Sequence, residues 1–270
     1  MPARIMGIVN VTPDSFSDGG EFLDPQRAIA HGRELAAEGA DVLDVGGEST
    51  RPGAAGVTAE EELARVGPVV DGLARDGGPP VSIDTSKFAV AEAALGAGAA
   101  MVNDVTALRS DPDLAGLCAE RRCEVVLMHM LGDPRTMQEN PVYEDVVDDI
   151  KAFLAERIEF AVSQGIEEER IWIDPGIGFG KTVEHNLELH RRLGELAELG
   201  RPIVFGSSRK SFIGKLTGTE IDQRLGGSIA SNVIAYANGA AMLRVHDVAP
   251  TRQALMVADA ILDPDRTDAY

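Results

Sequence analysis

Polar residues close a series of short apolar runs along the chain: Asn10, Asp44, Asp84, Asn103 with Asp104, His129, Asp174, the run Ser207-Ser208-Arg209-Lys210, and Arg244 with His246. Arg244 and His246 are two residues apart, so on a strand their side chains share a face. With Asn10 they form an anion pocket, because a guanidinium offers a planar fork that matches phosphate oxygens. Asp84, Asn103 and Asp174, joined by Lys210, suit a different ligand edge: an amino group flanked by ring nitrogens, whose parallel donors a carboxylate accepts side by side. Carboxylates buried without such a partner would be costly. On chemistry alone the ligand is a heterocycle carrying a phosphate group, and pterins, guanine-like rings and some pyrimidines all qualify. Taken singly, each residue is also an ordinary helix cap or turn residue, and Arg244 alone could pair with Asp247 or another surface acid. Nothing clusters with the spacing of a tight metal cage such as three histidines.

Eight elements must position these side chains. Apolar runs at 4–11, 41–45, 80–84, 100–104, 124–129, 170–174, 202–206 and 240–245 are short and rich in Val, Ile and Met, as parallel strands buried on both faces are. Between them lie amphipathic stretches at 25–38, 58–75, 86–95, 112–121, 143–164, 184–199, 222–237 and 250–262. Asp24 before Pro25 and the Thr58-Ala59-Glu60-Glu61 start are helix-entry signals. Strict alternation implies a parallel sheet with right-handed crossovers. Eight units in 270 residues predict a single-domain (β/α)8 TIM barrel spanning 1–270, with the active site at the C-terminal ends of the strands. The loops 10–20 and 46–53 are rich in Gly, Pro, Ser and Asp, a composition suited to closing over a substrate. Gly176-Ile177-Gly178-Phe179-Gly180 reads as a structural turn or as a phosphate nest.

The charge balance excludes some partners. With 44 acidic against 25 basic residues, a net charge of -19 and 4% aromatic content, the surface repels phosphate backbones and offers few stacking platforms, so nucleic acid is not an expected partner. The acidity serves solubility or reflects a salt-rich host. No export signal or membrane span is expected, since the first apolar run leads straight into Thr12-Pro13-Asp14. The two cysteines, Cys118 and Cys123, read as reduced packing residues, which points to the cytoplasm.

Nine motifs in order carry a family resemblance: NVTPDSFSDGG at 10–20, GGESTRPGA at 46–54, SIDTSK at 82–87, VND at 102–104, LMHM at 127–130, TMQENPVYEDV at 136–146, DPGIGFGKT at 174–182, GSSRKSFIG at 206–214 and LRVHDV at 243–248. The chain resembles the dihydropteroate synthases, and the motifs cover essentially its whole length. The resemblance implies condensation of a dihydropterin methyl diphosphate with 4-aminobenzoate, giving dihydropteroate and diphosphate by dissociative substitution, with Mg²⁺ as cofactor and a homodimer as the assembly. It implies that Asp84, Asn103, Met128, Asp174, Gly206 and Lys210 hold the pterin. Asn10, Thr50, Arg244 and His246 would hold the diphosphate, with Asn10 also reaching the metal. Phe16, Thr50, Pro52, Phe179, Lys210 and Ser211 would meet 4-aminobenzoate. Asp18, Arg51, Asp174, Lys210, Arg244 and His246 would carry the catalysis.

Other residues are set aside. His31 and His190 sit in predicted helices and read as surface residues, and His185 and His190 do not share a helix face. Trp172 reads as core or helix-facing. His129 either touches the site or orients Met128. Two rival functions are a methyltetrahydrofolate-dependent methyltransferase domain, which needs no diphosphate site, and a pterin-binding paralogue without turnover. The first is disfavoured by the Arg244–His246 pair and the loop motifs, the second by the intact lysine and anion pair.

Overall fold

Alternation of strand and helix is realised in the computed structural model, which describes residues 3–12, 24–50, 53–54, 56–133 and 135–262, as a ring of eight parallel strands. The strands are β1 (Arg4–Asn10), β2 (Val42–Gly46), β3 (Val81–Asp84), β4 (Met101–Asp104), β5 (Glu124–Met128), β6 (Ile171–Asp174), β7 (Ile203–Phe205) and β8 (Ala240–Val245). Each pairs with the next, and β8 returns to β1 with Arg4 opposite Met242 and Gly7 opposite Val245. The barrel is closed, as eight repeats in this length predict. Closure leaves no exposed sheet edge.

The helices are α1 (Pro25–Ala37), α2 (Ala59–Arg75), α3 (Phe88–Gly96), α4 (Leu114–Arg121), α5 (Val146–Ser163), α6 (Val183–Arg191), α7 (Ser211–Thr217), α8 (Leu225–Ala237) and α9 (Val248–Leu262). Their starts are chemically marked. Asp24 caps α1 by accepting from the Gln26 N–H, Thr58 caps α2 and Asp145 caps α5. Three departures from the sequence expectation stand out. The stretch 184–199 ends as an α-helix at Arg191 and continues as a 3-10 turn over Leu193–Leu199. A seven-residue helix, α7, follows β7 where a loop was expected, too short to show a periodic pattern. The last helix starts at Val248, with Pro250 inside its first turn, where a missing N–H has no helical acceptor to lose.

Period-two alternation along the strands divides the core. Outward residues such as Ile5, Val45, Ile83, Val102, Leu127, Ile173 and Phe205 pack under the helices in one large cluster. Inward residues Met6, Val42, Met101, Val126, Trp172, Val204 and Met242 fill the barrel interior as a second, separate cluster. Trp172 is therefore core, as expected, and its Nε1–H donates to Glu124 Oε2 at 2.8 Å. Cys118 and Cys123 are free and buried. Among the described residues no helix is long and apolar enough to cross a membrane.

Candidate active site

The interior apolar layer also fixes where chemistry can occur. Advancing two residues from each inward apolar side chain keeps the same face and climbs one layer. From Val42 this step reaches Asp44; from Met101, Asn103; from Val126, Met128; from Trp172, Asp174; from Val204, Gly206; from Met242, Arg244. Met6 alone steps to an apolar aliphatic, Ile8, so the packed plug carries above it Asp44, Asn103, Asp174 and Arg244, with Met128 and Gly206 between them, at the C-terminal ends of the strands.

Arg244 organises that layer. Its Nε–H donates to Asp44 Oδ2 at 2.6 Å and its Nη2–H to Asp84 Oδ2 at 2.7 Å. The Asn103 amide donates to the same Asp44 oxygen at 3.0 Å. Asp44 is fully buried, and its other oxygen, Oδ1, has no protein partner. Burial would lower the Arg244 pKa, yet Asp44 and Asp84 together raise it, so the guanidinium is permanently charged. Burial pushes the Asp84 carboxyl up to about 7, against the pull of Arg244 and with help from the negative charge of Asp44. The surface pairing with Asp247 does not occur: Asp247 accepts from Arg209 instead.

The other half joins β6 and β7. Asp174, buried, has its carboxyl raised by burial and held back by Lys210. Lys210 has its amine lowered to about 7 by burial, with Asp174 opposing. The Lys210 ammonium donates to the Ile177 carbonyl and lies 4.5 Å over the Phe179 ring. Gly206 sits between the halves, its missing Cβ position 3.7 Å from Arg244 Cβ and 3.9 Å from Asp174 Oδ2. Met128 lines the neighbouring wall in a cluster with Val105, Met130 and Met137, against which Phe179 packs.

The loop after β6 is a turn built on glycine. Gly176 has φ +69, and a Cβ there would fall 1.9 Å from the His129 carbonyl oxygen, so no other residue fits. The Gly176 N–H donates to Asp174 Oδ1 at 2.7 Å. Beneath the loop, Lys181 is buried with Nζ 3.0 Å from His129 Nδ1 and 3.0 Å from the Phe179 carbonyl. Burial lowers Lys181 well below the usual range and takes His129 down to about 2, so His129 is a neutral acceptor for the lysine. His129 supports the loop that carries Phe179.

The remaining expected residues fall as follows. Asn10 ends β1, half-buried, beside Gly46. Thr50 is half-buried on the loop after β2. His246 follows β8, and its Nδ1 and backbone N–H lie 3.1 and 3.2 Å from Ser208 Oγ. Ser211 is exposed at the first position of α7. Phe16, Asp18, Arg51 and Pro52 lie outside the described residues. Asp44 was seen in the sequence as a strand end but given no role; its signal was the same two-residue step that marks Asn103 and Asp174. One reading is corrected. His190 is not on the surface but 6% exposed, because its face of α6 packs towards α8 and its ring bonds Ser231 there.

This arrangement presents adjoining hydrogen-bonding edges, a fixed guanidinium and a buried amine at the mouth of a barrel packed with apolar side chains, suited to a polar heterocycle and an anion side by side. Comparison with known proteins agrees with that chemistry. A family model described as pterin binding enzyme matches residues 6–246. The chain is 45% identical to the dihydropteroate synthase of Escherichia coli K12 over 99% of its own length and 94% of that protein's. It superposes with a TM-score of 0.91 on the Xanthomonas albilineans dihydropteroate synthase solved with 4-aminobenzoic acid, at 51% identity, covering 97% of this chain and 94% of that one. The Xanthomonas albilineans enzyme in complex with 7,8-dihydropteroate matches with a TM-score of 0.88 at 49% identity, again over 97% and 94% of the two chains.

Proposed function

The chain belongs to the dihydropteroate synthases of the pterin binding enzyme family, and on that premise we propose that it condenses (7,8-dihydropterin-6-yl)methyl diphosphate with 4-aminobenzoate. The observation that carries the reading is the polar layer itself: Asp44, Asp84, Asn103 and Arg244 joined in one hydrogen-bonded set next to the buried Asp174–Lys210 pair. We take residues 1–270 as one catalytic domain.

Asp174 and Asp84 accept from the amino and ring N–H groups of the pterin, and Asn103 and Lys210 meet its remaining edge, with Met128 on its face. Gly206 leaves the ring room between Asp174 and Arg244. Arg244 spends two of its five N–H groups on Asp44 and Asp84, so three remain for the diphosphate. His246, Asn10 and Thr50 complete the anion pocket at the rim. These donors stabilise charge on the departing oxygen, the electrostatic contribution that dominates such reactions.

The C–O bond from the pterin methylene breaks with its electron pair going to diphosphate. The electron-rich dihydropterin shares the resulting positive charge, with the Asp174 carboxylate beneath it and Asp18 supplied from the first loop. The aniline nitrogen of 4-aminobenzoate then gives its lone pair to the methylene carbon and loses one proton to the released diphosphate. Phe179, Lys210 and Ser211, with Phe16, Arg51 and Pro52 from the loops, hold that substrate. No enzyme nucleophile is needed.

Mg²⁺ fits the donors that are present. Asn10 offers a neutral oxygen at the rim, and no group of three or more His, Cys, Asp or Glu able to hold an ion occurs among the described residues. Asn10 would be the residue that holds the ion, together with the oxygens of a bound diphosphate. When bound, the ion would neutralise charge on the leaving group.

We place a homodimer interface on α7, α8 and α9, where Leu216, Leu225, Ile234, Met256, Val257 and Ile261 are exposed. Apolar side chains gathered on neighbouring helices are what a second copy would cover. Two free thiols suit a reducing compartment, and we assign the enzyme to the cytoplasm.

The direct test is diphosphate release from the dihydropterin diphosphate with Mg²⁺, with and without 4-aminobenzoate. Release that depends on 4-aminobenzoate and yields dihydropteroate establishes the reaction. Tight pterin binding with no turnover replaces it with a binding role.

A further inference from the structure

Behind the loop after β6 runs a buried chain of polar groups that the reaction above does not use. The Gly178 N–H donates to Asn186 Oδ1 at 2.8 Å, and Asn186 Nδ2 donates to the Thr182 carbonyl at 2.7 Å. One turn along α6, His190 Nδ1 lies 2.6 Å from the Asn186 carbonyl and His190 Nε2 lies 2.5 Å from Ser231 Oγ on α8. Ser231 Oγ is 2.7 Å from Ser207 Oγ at the end of β7, and Ser207 Oγ is 2.9 Å from the Asn232 side-chain amide. All five side chains are buried.

Proton counting gives the chain a direction. A carbonyl only accepts, so His190 carries its hydrogen on Nδ1. Burial lowers the pKa of His190, the ring is neutral, and Nε2 is an acceptor. The Ser231 hydroxyl therefore donates to His190, and the Ser207 hydroxyl to Ser231.

Both ends of the chain reach the site. Gly178 precedes Phe179, and a Cβ at Gly178 would come within 3.1 Å of Lys210 Cδ. At the other end the Lys210 N–H donates to the Ser207 carbonyl at 3.2 Å. The residues assigned to the pterin stand mainly on strands, whose places the sheet fixes. Phe179 stands on a loop with three glycines at positive φ, so side-chain ties must fix it.

We propose that Asn186 and His190 are positioning residues for the second substrate, holding the loop of Phe179 at a set spacing from the turn of Lys210 through the chain Gly178–Asn186–His190–Ser231–Ser207. The proposal rests on the condensation reaction for its kinetic readout but not for its structural one.

The test is steady-state kinetics on Asn186→Ala and His190→Phe, with amide hydrogen exchange at Gly178 followed by NMR. KM for 4-aminobenzoate should rise about tenfold while KM for the pterin diphosphate stays within about twofold, the mark of lost ground-state positioning. Gly178 should exchange faster in Asn186→Ala, with Ile173 in β6 unchanged. His190→Asn, whose amide reproduces the Nδ1 bond alone, should recover part of the 4-aminobenzoate KM. Equal shifts in both KM values, or a lower melting temperature with neither KM moved, would overturn the proposal. If a variant does not fold, Ser231→Ala at the far end of the chain must show the same split to a smaller degree, and its absence is equally fatal. Wild-type protein without turnover would refute the reaction instead, and unaltered Gly178 exchange would still refute the positioning role.

Discussion

Asp44 and Arg244 stand 200 positions apart in the chain and 2.6 Å apart in the barrel. Their ion pair is the point where β2 and β8 share a hydrogen bond across the interior, and Asp84 doubles it from β3. One guanidinium thus bonds a carboxylate from each of two strands inside the barrel.

Arg244→Ala should therefore fail in two measurable ways. Turnover should fall at least about tenfold, since the charge proposed to act on the leaving group is removed. Stability should fall by about 3–5 kcal/mol at neutral pH, because removing one partner strands buried carboxylates. Urea denaturation alongside kcat/KM separates the two effects, and wild-type values in both would undo the site.

Lys210→Ala should cost at least about tenfold in turnover as well. In the ligand-free protein, burial holds this amine near 7 against an ordinary 10.5. Between those values the unfolded chain binds the proton more tightly than the folded one, so the residue's contribution to stability rises with pH across that window. Below it both states are charged, and the burial penalty is felt in full. Wild type should accordingly gain stability over Lys210→Met between pH 6.5 and pH 9.5. A difference that does not change with pH would show that the amine is not buried as described.

At Gly176 a methyl group has nowhere to go, since it would meet the His129 carbonyl at 1.9 Å on a backbone with φ +69. Gly176→Ala should lose about 3 kcal/mol or more, the sum of strain and displaced packing. A melting temperature close to wild type would mean that the loop adopts another path.

The proposed homodimer makes its own prediction. Ile234→Asp and Val257→Glu change exposed positions, so the monomer should fold normally while sedimentation shifts from dimer to monomer. Because the chain carries a net charge of -19, wild-type dimerisation should strengthen with added salt as repulsion between copies is screened. Unchanged sedimentation in both variants would move the interface elsewhere.

How much of this was legible in the sequence depends on the range of the interactions. The strands were, because period and turn residues are local, and all eight fall within one or two residues of the expected places. Asp84, Asn103, Asp174 and Arg244 were legible as strand-end polar residues. That Arg244 faces Asp44 was not, since the pair depends on barrel closure and stagger. His190 misled because a histidine in a helix carries no local sign of which neighbour will cover it; α8 does so from 41 positions away. The short α7 escaped because seven residues make too few turns to show a period. The loop residues Phe16, Asp18, Arg51 and Pro52 rest on resemblance alone.

Closure of the ring by β8 has a consequence for how the protein is made. Synthesis is vectorial, and Arg244 emerges long after Asp44 and Asp84 have left the ribosome. Until then any partial barrel that buried those acids would do so without their guanidinium, at a cost of several kcal/mol. The nascent chain is thereby discouraged from sealing its interior early, and the last strand delivers the counter-charge that makes the finished cavity affordable.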